Sequence, residues 1–187
     1  MKTLAFKTAA AFRKCLEKNH ARTEEGLWVR FFKKASDEKT ITYLEALDQA
    51  LCFGWIDGQA KPLDEHSWIQ RFTPRRPKSG WSRRNTQHVE RLTKAGLMTP
   101  AGLKAVDAAK ADGRWTAAYD SPGKAAPLRD FLAALAKNKK AKAFFATLNM
   151  SNTYAIVYRL QTAKKPETRE RRMKMILEML AKGEKFH

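Results

Sequence analysis

The chain has 187 residues, 43% of them hydrophobic, with five tryptophans and ten phenylalanines, enough apolar material for a packed core and too much for a disordered chain. Its formal net charge of +18 predicts attraction to anions, whether nucleic acid, phosphorylated metabolites or an acidic membrane surface. Two cysteines without CxxC spacing and four scattered histidines exclude a disulfide framework and give no ground for a metal or cofactor, and no run approaches the ~20 apolar residues of a membrane span.

In chain order, Lys7 and Arg13 interrupt the apolar start before it reaches export length, so with two unpaired thiols a cytoplasmic protein is expected. Thr8 to Asn19 places Ala11, Phe12, Cys15 and Leu16 on one helical face, where Cys15 reads as a small core hydrophobe. Leu27 to Phe32 alternates as a strand, with Leu27, Val29 and Phe31 on one face and Trp28, Arg30 and Phe32 on the other; both faces are mostly apolar, which predicts a strand inside a sheet covered by helices. A charged turn at 35–39 follows.

Thr42 and Glu45, three positions apart, predict a capping box. The helix they open is expected to bury Leu44, Leu47, Ala50 and Leu51 and to stop at Gly54, which reaches the left-handed region without a Cβ clash. Glu45, Asp48 and Cys52 share a neighbouring stripe. With Asp57 and His88 they are the side chains able to act as acid, base or nucleophile, yet they form no legible Ser/His/Asp or Cys/His constellation.

Strands are predicted at 58–63 and 67–73, joined at Asp64-Glu65-His66. Arg71 alternates onto the face of Ile69, where an unpaired guanidinium is costly to bury. Asp57, Glu45 or Asp48 is the expected partner. Pro74 and Pro77 end the strand. The stretch from Glu65 to Glu90 has no acidic residue between its ends and holds Arg71, Arg75, Arg76, Lys78, Arg83 and Arg84 with Trp68 and Trp81. Ser82 reads as the N-cap of a helix over 83–94, whose amides and dipole favour an anion. These features predict one cleft, walled by Trp55 and Trp81, in which Asp57, Arg71, Arg75 and Ser82 meet a small anionic or phosphate-bearing ligand.

Thr99-Pro100 caps a helix to about residue 111. Residues 116–127, small and proline-bearing, read as a linker. Helices are expected at 128–137, 140–147, 152–163 with Ser151 as cap, and 166–182. The last 67 residues carry 15 basic and 5 acidic side chains. Lys139, Lys140, Lys142, Lys164, Lys165, Arg169, Arg171 and Arg172 are therefore the candidate phosphate contacts if the alternative partner is nucleic acid. No helix-turn-helix, zinc-finger or RNA-recognition signature accompanies them.

The expected architecture is α+β: residues 1–115 with a small antiparallel sheet covered by helices, a linker at 116–127, and a basic helical module over 128–187.

ITYLEALDQALCFGWIDG, IQRFTPRRPKSGWSRRN and GLMTPAGL in the first part, with FFATL, SNTYAIVYRLQTAKKPETRERR and EMLAKG in the second, resemble the YdeI/OmpD-associated family, also labelled bacteriocin-protection or OmdA-like proteins. The resemblance covers nearly the whole chain and implies a helical tail module that also occurs behind other N-terminal domains. It brings no settled reaction and no cofactor, and the family label alone implies a protective role.

Overall fold

The computed structural model describes residues 3–36 and 38–187, so Asp37 of the expected 35–39 turn lies outside the described residues. The chain forms two compact units, Met1–Ala118 and Tyr119–His187. The first contains β1 (Thr3–Ala5), α1 (Ala9–Asn19), β2 (Leu27–Phe32), α2 (Tyr43–Cys52), β3 (Trp55–Pro62), β4 (Ser67–Pro74), α3 (Arg83–Lys94) and α4 (Pro100–Ala111). The second contains α5 (Arg129–Ala136), α6 (Lys139–Phe145), α7 (Met150–Gln161) and α8 (Pro166–Ala181). The fold is α+β.

The sheet runs β1-β2-β4-β3. It is mixed, because β1 pairs parallel with β2 while β2–β4 and β3–β4 are antiparallel. The three-residue β1 was not expected; it is too short for alternation to show in TLA. Across β2 and β4 the pairs Leu27–Phe72, Val29–Gln70 and Phe31–Trp68 share one face, and Trp28–Arg71, Arg30–Ile69 and Phe32–Ser67 share the other. The core takes up only the first face: Val29, Phe31 and Phe72 pack with Phe12, Leu16, Leu47, Leu51 and Val89. Trp28 and Phe32 stay half-buried outside it, so the two-sided apolar pattern of β2 does not mean that both faces enter the helix-packed core.

Local side-chain chemistry sets the helix starts. Thr42 Oγ1 accepts from the Glu45 amide and Glu45 Oε2 accepts from the Thr42 amide at 2.8 Å, a complete capping box; the helix it opens buries Ala46, Leu47, Ala50, Leu51 and Cys52, while Leu44, expected in that stripe, is exposed. Ser82 and Thr99 cap α3 and α4 in the same sense. In the helical unit Asn149, not Ser151, caps α7: its Oδ1 accepts from the Asn152 amide at 3.0 Å. An Asn two residues earlier makes the same bond, so the helix starts at Met150.

Two glycines are fixed by close approach. Gly26 sits at φ +78°, and a Cβ there would fall 2.1 Å from the Phe72 carbonyl oxygen. Gly102 brings α4 onto the end of α2, where a Cβ would lie 2.2 Å from the Cys52 carbonyl oxygen. Thr99 Oγ1 donates to that oxygen at 2.7 Å, and Cys52 is fully buried beneath the contact.

The helical unit has its own core of Phe131, Leu135, Ala141, Ile156, Leu160, Ile176 and Leu180. Residues expected in a linker are partly absorbed: Ala118 packs against the first core, while Asp120 receives the Gln161 side-chain amide at 2.7 Å. Burial and the neighbouring Tyr119, Tyr158 and Asp120 push the Tyr154 phenol up to about 12.

Gly26→Ala combines left-handed strain of about 1–2 kcal/mol with a backbone clash. A loss of about 2 kcal/mol or more is expected, read as a melting temperature lower by roughly 5 °C or more. An unchanged melting temperature would show that the 23–26 turn can move off β4.

Candidate functional site

A cleft of about 600 Å³ opens in the first unit, lined by Glu24, Ile56, Asp57, Gly58, Gln59, Arg71, Thr73, Pro74, Arg75, Arg76, Pro77 and Ser79. Its size is that of a small-ligand site. One wall is an irregularity in β3, where the register with β4 shifts between Asp57 and Ala60. Such a bulge bends the strand and frees backbone groups from the ladder. The Gly58 carbonyl is recovered by Gln70 Nε2 at 2.7 Å, which explains a buried glutamine on the core face.

The opposite wall is the proline-rich loop after β4, held from behind. Trp81 is 1% exposed and lies 5.0 Å from the Trp115 ring. The Arg75 guanidinium sits 3.4 Å from the Trp81 centroid, and its Nη1 donates to Gly80 O at 3.1 Å. Arg114, 9% exposed, donates from Nη1 to Ser79 O at 3.0 Å while its Nε bonds both Asp112 oxygens. The basic loop is thereby a fixed wall. Among the described residues, Ser79 Oγ and Trp81 Nε1 are buried without a hydrogen-bond partner.

Asp57, Arg71 and Arg75 line the cleft together. Trp55 and Trp81 do not: both are 1% exposed and belong to the core, Trp55 donating from Nε1 to His20 O at 3.3 Å. Ser82 is also outside the lining, with Oγ engaged by the Asn85 amide at 3.2 Å as a cap. The aromatic walls expected from sequence are therefore a foundation, and the helix start is not part of the lining.

Arg71 differs from expectation in its partner. Its Nε and Nη2 donate to the Glu25 carbonyl at 3.1 and 2.6 Å, presented by the turn that Gly26 closes, and no carboxylate is involved. Asp57 instead accepts from the Tyr43 hydroxyl at 2.7 Å. Burial, followed by the Asp57 charge, raises the Tyr43 phenol above its ordinary range.

The remaining acid–base candidates are dispersed. Glu45 serves its capping box, and the Thr42 bonds lower its carboxyl. Burial raises the Cys52 thiol. Asp48 receives Arg91 at 2.7 and 2.6 Å and lies 2.7 Å from His88 Nδ1, a cluster joining α2 to α3. Among the described residues no three His, Cys, Asp or Glu side chains are placed to hold a metal ion.

Sequence reasoning missed Gln59, Ser79 and Arg114. The DGR turn carried a signal for the last, since an Asp two residues before an Arg can fix its guanidinium. The Ser79 position depended on tertiary contacts and had none.

Residues 4–105, more than half of the chain, match a family model described as a Domain of unknown function (DUF8412). The chain belongs to that family. Residues 129–183 match the model described as Bacteriocin-protection, YdeI or OmpD-Associated, so the helical unit is a domain of the YdeI/OmpD-associated family. The cleft falls within the DUF8412 match. No curated protein and no solved structure matches. No helix of the described residues is long and apolar enough to cross a membrane.

Because Arg71 is partly exposed and holds a carbonyl, Arg71→Met is expected to cost about 1–2 kcal/mol, far below the ~3–5 kcal/mol of breaking a buried ion pair. Denaturant titration measures it; a loss above ~3 kcal/mol would indicate a buried charged partner. Tyr43→Phe removes the donor to Asp57 at a cost of about 1 kcal/mol. The raised phenol contributes stability that is fully present below its ordinary pKa and lost as pH rises above it, so the gap between parent and Tyr43→Phe should narrow from about pH 10 upward.

Proposed function

We propose that the first unit binds a small anionic ligand, most simply one carrying a phosphate, in the cleft between the β3 bulge and the 74–80 loop. The observation that carries this reading is the buried Ser79 Oγ without a hydrogen-bond partner in a wall shared with three arginines. A buried hydroxyl left unpaired costs free energy that a ligand oxygen would recover. Arg76 is exposed and supplies direct charge, Arg71 keeps donor capacity beyond its bond to Glu25, and Arg75 contributes field from its fixed position on Trp81. Glu24 and Asp57 at the same cleft favour a ligand that also carries hydroxyl or amino donors, such as a sugar phosphate, over a bare polyanion. We take the protective role named in the family description as the physiological setting, with binding at the cleft as the molecular event. No reaction is assigned.

Calorimetry and thermal shift with inorganic phosphate, pyrophosphate and glucose 6-phosphate test the reading. The parent should be stabilised by at least one of them, by about 2.7 kcal/mol at a hundredfold excess over Kd. Arg76→Ala and Ser79→Ala should each weaken that binding roughly tenfold. Stabilisation by none of the probes, or identical affinity in both variants, would sink it.

A second reading is favoured by the exposure of Lys139, Lys140, Lys142, Lys164, Lys165 and Arg171 on the helical unit: sequence-independent contact with nucleic acid. Two of the eight candidate cations are engaged internally. Arg169 donates to Leu160 O at 2.6 Å and pairs with Asp130, and Arg172 donates to Arg159 O at 2.7 Å. Both serve carbonyls in the last turn of α7. Changing the five lysines to Gln is expected to flatten the slope of log affinity against log salt by up to about 4.5. An unchanged slope would remove these lysines from the interface.

A further inference from the structure

The face of the sheet turned away from the core carries a pattern that the cleft does not use. Trp28 and Phe32 stand on the same face of β2, ~13 Å apart along the strand, both half-buried and outside the apolar core. Each ring is matched with a cation. Lys61 Nζ is 5.3 Å from the Trp28 ring, and the Arg30 guanidinium is 4.4 Å from the Phe32 ring. Between them Ile69, 2% exposed, forms an apolar floor opposite Arg30 on one side and Lys61 on the other. Arg71 pairs with Trp28 in register.

The arrangement is rigid where stacking needs it to be. Arg30 is held by Ser67 Oγ at 3.0 Å and Asp64 at 2.7 Å, and Asp64 is itself fixed by the Ser67 hydroxyl and the His66 amide. The Arg30 side chain keeps 32% of its surface exposed, and a guanidinium offers a plane on which a base stacks as readily as on an aromatic. Three cations against one carboxylate give the face a positive balance within a chain of net charge +18.

We propose that this face binds single-stranded nucleic acid, with bases stacking on Trp28 and on the Arg30–Phe32 pair and phosphates meeting Lys61 and Arg71. Aromatic rings interleaved with cations on a flat sheet fit a strand whose bases all have a π-face, whatever their sequence. The ~13 Å ring spacing exceeds the ~3.4 Å step between stacked bases, so the bases must be splayed, which a duplex does not allow. The site shares Arg71 with the anion cleft, but its stacking surfaces, Trp28 and the Arg30–Phe32 pair, lie outside the cleft lining and it uses none of the lysines of the helical unit, so it stands if either of those readings fails.

The experiment titrates the full chain at low salt with a labelled twelve-nucleotide thymidine oligomer, the matching duplex, and poly-glutamate, following affinity and tryptophan fluorescence. The parent should bind the single strand more tightly than the duplex, with quenching. Trp28→Leu keeps an apolar side chain at this position but removes the stacking surface, and should lose roughly 5- to 100-fold in affinity together with part of the quench. Lys61→Gln, an exposed change with no bearing on the core, should weaken binding and lower the salt slope by about one unit. The variant with its five helical-unit lysines changed to Gln should keep the quench and the preference for single strands. Equal binding of duplex or poly-glutamate, or a Trp28→Leu affinity equal to the parent's while Lys61→Gln also has no effect, would overturn the proposal, as would no binding of the oligomer.

Discussion

The stack of Arg75 on Trp81 is the interaction on which the cleft depends. A proline-rich basic loop has little reason of its own to hold one shape. Here the indole is sunk against Trp115, the guanidinium carbon lies 3.4 Å from the indole centroid, and Arg114 grips the Ser79 carbonyl from the protein side. Charge that would otherwise be spread over a mobile turn is set at fixed positions facing the β3 bulge. The conformational cost of ordering the loop is met on folding, so a ligand does not have to meet it again on binding.

Helix starts and the hairpin were legible in the sequence because they are local. The Thr42–Glu45 pair, Ser82 and Thr99-Pro100 each satisfy amides within three residues, and alternation in β2 and β4 placed every side chain on its observed face. Membership of the cleft was legible for Asp57, Arg71 and Arg75. What was not legible is which backbone oxygen an arginine finds. Arg71, Arg114, Arg169 and Arg172 all end on carbonyls distant in sequence, and a carbonyl has no residue identity to read. The tryptophans misled for a related reason: an aromatic near basic residues reads as a ligand wall, whereas Trp55 and Trp81 are the supports behind one.

These arginines also qualify the meaning of the net charge. Each guanidinium that saturates a carbonyl keeps its charge yet has fewer donors and less reach, so it shapes the field without being a flexible contact. The exposed lysines of α6 and of the turn before α8 keep both. The helical unit thus carries two kinds of positive surface, braced at Arg169 and Arg172 and free to move at the side-chain level at its exposed lysines.

The contact between Gly102 and the Cys52 carbonyl gives the fold a chemical asymmetry between its two thiols. Cys15 is half-buried on α1, while Cys52 is fully buried and its carbonyl is met by a glycine of α4 that leaves no room for even a methyl group. A thiol reagent therefore meets two different thiols: a half-buried one within reach in the native state, and a fully buried one reached only when the structure around it opens. The rate at which the second thiol is captured is a clock for that opening, written into the chain without any label.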